Sequence, residues 1–142
     1  MIKHGGSYGQ CVKKNKRMKR LSIVGRILFA LPFGIIGLNH FLMIDFFTGM
    51  LTSFIPGTGF TVLLTGILLI VASLSIIFKK FVRLATLMLA ALLLIFILTI
   101  HVPGLFEQGE PAKMAMMQLF KDTALMGGAL MIASFYEPED RG

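Results

Sequence analysis

The chain has 142 residues, of which 56% are hydrophobic and only 15% charged, and its mean hydropathy is +0.82. Soluble domains average about a quarter charged residues, so the composition excludes an ordinary soluble globular protein, and the length excludes a second membrane domain or a large catalytic module. One cysteine, Cys11, excludes an intrachain disulfide, a Cys-x-x-Cys redox pair and a Cys-rich zinc site.

Fourteen Lys and Arg against seven Asp and Glu give a net charge of +7. In a soluble chain that excess would suggest nucleic acid. Here Lys3, Lys13, Lys14, Lys16, Arg17, Lys19 and Arg20 precede the first long apolar run, and Lys79, Lys80 and Arg83 fill a gap between two others. Cations gathered beside alternate ends of apolar runs follow the positive-inside rule of membrane proteins, so nucleic acid is not the expected partner. The expected partner is the lipid bilayer, whose anionic headgroups the basic arm can also touch.

In chain order, residues 1–20 are a basic cytoplasmic tail. Residues 1–17 within it, with Gly5, Gly6 and Gly9, are expected to be a disordered polar segment, and Met18 is an alternative start. The run Leu21–Ile44 has 24 residues, interrupted only by Arg26 and His40. It exceeds a signal-peptide core and lacks an Ala-x-Ala-like site, so it is expected to be a retained span. The outer loop Asp45–Gly59 carries Phe46, Phe47, Met50, Leu51, Phe54 and Ile55, the composition of an interfacial or re-entrant segment, with a turn at Pro56, Gly57 and Gly59. Phe60–Phe78 is a second span of 19 uncharged residues, and Leu84–Ile100, extending back to Phe81, a third of 17. A turn is expected at Pro103-Gly104 inside the outer loop His101–Lys113. The fourth candidate, Met114–Phe135, has 22 residues but contains Lys121 and Asp122, and its uncharged part, Thr123–Phe135, has 13. Thirteen helical residues reach only about 20 Å, short of a bilayer core about 30 Å thick.

The expected fold is therefore all-α: an integral membrane four-helix bundle over residues 21–136, with both termini inside and a short cytoplasmic tail at 137–142. Gly34 and Gly37, Thr65 and Gly66, Ala90 and Ala91, and Ala124 and Gly128 are small residues suited to close helix approach. Neither an internal repeat nor a low-complexity tract is present.

Ionisable residues inside spans are where function is sought first. Arg26 lies near the cytoplasmic end, where it can snorkel to headgroups or form an ion pair. It shares a helix face with Phe33, Gly37 and His40. Running each helix in its expected direction gathers Asn39, His40, Asp45, His101, Lys121 and Asp122 in the outer half. Three readings of this group stand side by side. One is a hydrogen-bonded polar cap, with Lys121 and Asp122 neutralised from other helices, because adjacent residues point about 100° apart and are not expected to pair with each other. Another is a shallow pocket for a quinone headgroup or small substrate, with His or Asp relaying protons. The last is a haem held by His40 and His101. No metal-ligand spacing, Walker loop, nucleophile elbow or His-Glu-x-x-His occurs.

Gly37-Leu38-Asn39-His40-Phe41, Asp45-Phe46-Phe47-Thr48-Gly49-Met50, Ile55-Pro56-Gly57, His101-Val102-Pro103-Gly104 and Lys121-Asp122-Thr123-Ala124-Leu125-Met126-Gly127-Gly128-Ala129-Leu130 stand in an order and spacing that resembles the DoxX family of small bacterial membrane proteins. The similarity runs over about Leu21–Phe135. The resemblance implies a four-helix bundle in the bacterial inner membrane. The family takes its name from a subunit associated with a thiosulfate:quinone oxidoreductase, and its relatives accompany redox systems of the envelope. It brings no agreed catalytic residues, and the single cysteine departs from thiol-redox relatives with four-helix membrane cores. The expected function is an accessory or partner subunit of a quinone-linked envelope redox system, working with a partner membrane or redox protein or as a homo-oligomer rather than as a self-sufficient enzyme. No cofactor is fixed by the sequence; quinone is the candidate ligand, ahead of haem. A small transporter or a structural scaffold is the alternative.

Overall fold

The structure, a computed structural model, describes residues 6–50 and 58–136, with side chains for 18–49 and 59–136. Every element among them is helical: α1 (Gly6–Leu42), α2 (Ile44–Met50), α3 (Thr58–Phe78), α4 (Val82–Phe96), a π turn (Ile97–His101), the short α5 (Val102–Gly104) and α6 (Glu110–Ser134). Of these, Met18–Leu42, Gly59–Phe78 and Val82–Gly104 are long and apolar enough to cross a membrane. At 1.5 Å per residue their 25, 20 and 23 residues reach about 37, 30 and 34 Å.

Several expectations are corrected. Gly6–Arg17 continues α1 rather than forming a disordered tail. Part of the first outer loop is the helix α2, while Leu51, Phe54, Ile55 and the Pro56-Gly57 turn lie outside the described residues, as do residues 137–142. Pro103 and Gly104 are helical; the chain turns after them, at Leu105–Gly109, and α6 starts at Glu110, before Met114. Pro103 sits in the first turn of α5, where the amide it lacks would have had no partner.

The helices alternate in direction. Ser73 Oγ donates to the Ala30 carbonyl at 2.8 Å, and a Cβ on Gly37 would meet Gly66 and Ile70, so α1 and α3 run antiparallel. Gly104 faces Ala115, and His101 faces Asp122, which makes α4 and α6 antiparallel as well. The residues beside Arg26, the α3–α4 turn and Tyr136 therefore share one end, with His40, His101 and the start of α6 at the other.

The core is built by Ala30, Phe33, Leu69, Ala72, Ile76, Ala85, Leu89 and Leu93, and α6 adds Leu125 and Met126 against it. Large apolar side chains also cover the outside, among them Leu38, Val71, Met88 and Leu98. A water-facing protein would carry polar groups there; a lipid-facing one has no reason to.

Helices α3 and α4 are joined by a turn whose Lys79 (φ 62°) and Phe81 (φ 53°) both adopt the left-handed conformation. That geometry costs an L-residue roughly 1–2 kcal/mol. Lys79→Gly removes this strain, offset in part by the greater freedom of glycine in the unfolded chain. Thermal unfolding in detergent should show a midpoint higher by about 3–5 °C, consistent with a net gain near 1 kcal/mol.

Candidate functional site

The polar residues at the His101 end fall into two groups. The first is on α1–α3. His40 is buried, its Nδ1–H donates to the Ile36 carbonyl at 2.8 Å, and its ring stacks on Phe47 with centroids 3.9 Å apart and 16° between planes. Donation to the carbonyl one turn back fixes the proton on Nδ1, leaving Nε2 as the acceptor in the neutral ring. Gly66 makes room for this histidine, since a Cβ there would sit 2.9 Å from His40 Cβ. Asn39 is half-buried and Asp45 exposed; neither side chain makes a hydrogen bond or ion pair among the described residues. Within this group the structure brings together only His40 and Phe47, and Phe47 was not among the sequence candidates.

The second group joins α4 to α6. His101 Nε2–H donates to Asp122 Oδ2 at 2.8 Å, with the two side chains 12% and 7% exposed. Asp122 Oδ1 lies 3.4 Å from Lys121 Nζ, whose side chain is 48% exposed. The expectation that these neighbours could not pair is thus corrected. The angular separation of about 100° governs where Cβ points, whereas the four-carbon lysine stem can fold back to the next carboxylate. Asp122 turns inward to the histidine, and Lys121 keeps its stem outside.

The backbone accounts for the position of His101. In the π turn the Val102 amide donates to the Ile97 carbonyl, five residues back. The additional residue in the turn rotates the following side chains relative to a regular helix, and such turns recur at functional sites. Just beyond it, a Cβ on Gly104 would lie 2.8 Å from Ala115 Cβ, so the end of α4 and the start of α6 meet closely. The imidazole reaches the carboxylate across this narrow gap.

Chemically, the carboxylate holds the ring in one orientation with the proton on Nε2, and Nδ1, which makes no hydrogen bond, is left to exchange a proton with a ligand. His40 and His101 belong to different helix pairs, with no hydrogen bond or ring contact linking them. The His101 nitrogen that most often ligates iron, Nε2, is occupied by Asp122, so the pair does not fit a haem. Among the described residues no three His, Cys, Asp or Glu side chains come together as metal ligands.

Arg26 pairs with no carboxylate among the described residues. It is half-buried, and its Nη1 donates to the Tyr136 hydroxyl at 3.0 Å. Sequence reasoning missed Tyr136; an aromatic with a polar tip at a span end, as in interfacial aromatic belts, was the available signal. An apolar groove of about 290 Å³ between α3 and α4, lined by Leu68, Val71, Leu84, Met88 and Ile95 among others, includes none of the polar candidates. Compared with models of known protein families, with curated proteins and with solved structures, the chain matches none.

Proposed function

We propose that the chain is a DoxX-like four-span protein of a bacterial inner membrane, with both termini in the cytoplasm, serving as an accessory subunit of a quinone-linked redox system. The observation that carries this reading is the buried His101–Asp122 pair joining α4 to α6. Quinol oxidation releases two electrons and two protons. The side chains of this chain supply no electron carrier, so the electrons pass to a partner subunit. What these residues can do is hold a headgroup oxygen at His101 and move a proton through its ring, while Asp122 fixes the ring and Lys121 balances the carboxylate. The fourth span is α6, with Asp122 directed inward, accepting a hydrogen bond from His101 and facing the Lys121 ammonium. The cations at 79–83 support cytoplasmic placement of the Arg26 end.

Paired reporter fusions test the topology. A fluorescent protein fused after Gly142 should fluoresce, and alkaline phosphatase inserted after Gln108 should be active. An active phosphatase at the C-terminus would leave three spans and discard the fourth. A small transporter is the second reading, favoured by the π turn, which interrupts regular helix beside the ionisable pair. Solute uptake by vesicles lacking any redox partner would favour it over the accessory subunit.

A further inference from the structure

The end of the molecule opposite His101 carries two guanidinium groups around one tyrosine. Arg26 Nη1 donates to the Tyr136 hydroxyl at 3.0 Å, and Arg83 Nη1 donates to the Tyr136 carbonyl at 3.4 Å. Each guanidinium has five N–H donors, and each is seen to use one. Arg26 Nε is buried without a hydrogen-bond partner. Neither arginine has a carboxylate within ion-pair distance among the described residues, where the ion pairs are His101–Asp122, Lys113–Glu110 and Lys121–Asp122. Two half-buried cations with unused donors and no counter-charge are costly in a low-dielectric setting, and guanidinium forks match phosphate oxygens in shape and charge.

We propose that Arg26 and Arg83, braced by Tyr136, form a phosphate site whose resident is the headgroup phosphate of an anionic phospholipid. The setting favours a lipid over a free ion. Arg26 lies within the first span-capable helix and Arg83 one residue inside the third. The surface around them is basic, with Lys79 and Lys80 in the adjoining turn and Lys19 and Arg20 upstream on α1. Basic pockets between helices at a cytoplasmic membrane surface recur as lipid headgroup sites. This inference is independent of the His101–Asp122 reading.

The experiment is native mass spectrometry of the full chain in detergent, titrated with phosphatidylglycerol or phosphatidylcholine. The wild type should retain phosphatidylglycerol at least tenfold more tightly. The double variant Arg26→Gln/Arg83→Gln should lose that preference, whereas Lys79→Gln/Lys80→Gln, which removes the same charge from the same end, should keep it. If the double variant does not fold, Arg83→Gln alone should weaken the preference severalfold. Equal loss in both double variants would reduce the site to general surface charge and overturn it. Displacement of the lipid by millimolar inorganic phosphate would assign the site to a free anion instead. A preference seen only after truncation behind Tyr136 would assign it to the acidic tail with Glu137, Glu139 and Asp140, and would equally overturn the lipid.

Discussion

Gly37→Leu should prevent the protein from reaching its native fold. A Cβ at this position would already lie 2.7 Å from Ile70 Cγ1, 2.9 Å from the Gly66 carbonyl oxygen and 3.1 Å from the Ile70 amide nitrogen. Two of those neighbours are backbone, so no rotamer change relieves them, and α1 and α3 would have to move apart. Overpacking commonly costs about 1–3 kcal/mol where side chains can yield; Gly37→Ala belongs at the top of that range and Leu beyond it. Separation would also break the Ser73–Ala30 hydrogen bond and empty the pocket that seats His40 against Gly66. Size-exclusion chromatography in mild detergent should show a monodisperse wild type and an aggregated Gly37→Leu. Gly25→Ala, where nothing lies within 4 Å of the new methyl, should match the wild type. A monodisperse, fully helical Gly37→Leu would contradict the α1–α3 contact.

The second large effect is expected at Asp122. Asp122→Ala leaves the His101 Nε2–H without an acceptor and Lys121 without its nearest counter-charge. A buried donor left without its acceptor costs about 1–3 kcal/mol, so expression and thermal stability should both fall. Asp122→Asn separates fold from function. Its amide oxygen can still accept from His101, so the helices should remain packed, but the carboxylate that balances a protonated ring is gone. Quinol-dependent electron transfer by membranes holding the partner subunit should then drop by at least tenfold at unchanged protein level. Wild-type rates in a well-packed Asp122→Asn would reduce the pair to a structural tie between α4 and α6.

The apolar runs were legible because span length and the absence of charge are local properties. The structure has α1, α3 and α4 as helices over those runs. Gly34, Gly37 and Gly66 were also legible as sites of close approach, since small residues on apolar helices have few other uses there. Partners distant in sequence were not legible. Arg26 and Tyr136 are 110 positions apart, and only the antiparallel packing of α1 and α6 brings them together. His101 and Asp122 were placed in the same half of the molecule, but their contact depends on the π turn, which shifts the helical register by one residue and has no simple sequence signal. The Pro103-Gly104 pair misled in the opposite direction. A proline in the first turn of a short helix gives up an amide that would be unpaired anyway, so it need not end the helix. Lys121 and Asp122 were misjudged because residue spacing on a helix constrains Cβ, whereas a long flexible cation is limited only by its reach.

The central claim, that the His101–Asp122 pair serves a quinone, is tested most directly by native mass spectrometry of the chain extracted from its host membrane in mild detergent. The wild type should carry an adduct of quinone mass, alone or with a second polypeptide at fixed stoichiometry, and a folded Asp122→Asn variant should lose it. A bare wild-type mass, or an adduct that persists in Asp122→Asn, would contradict the claim.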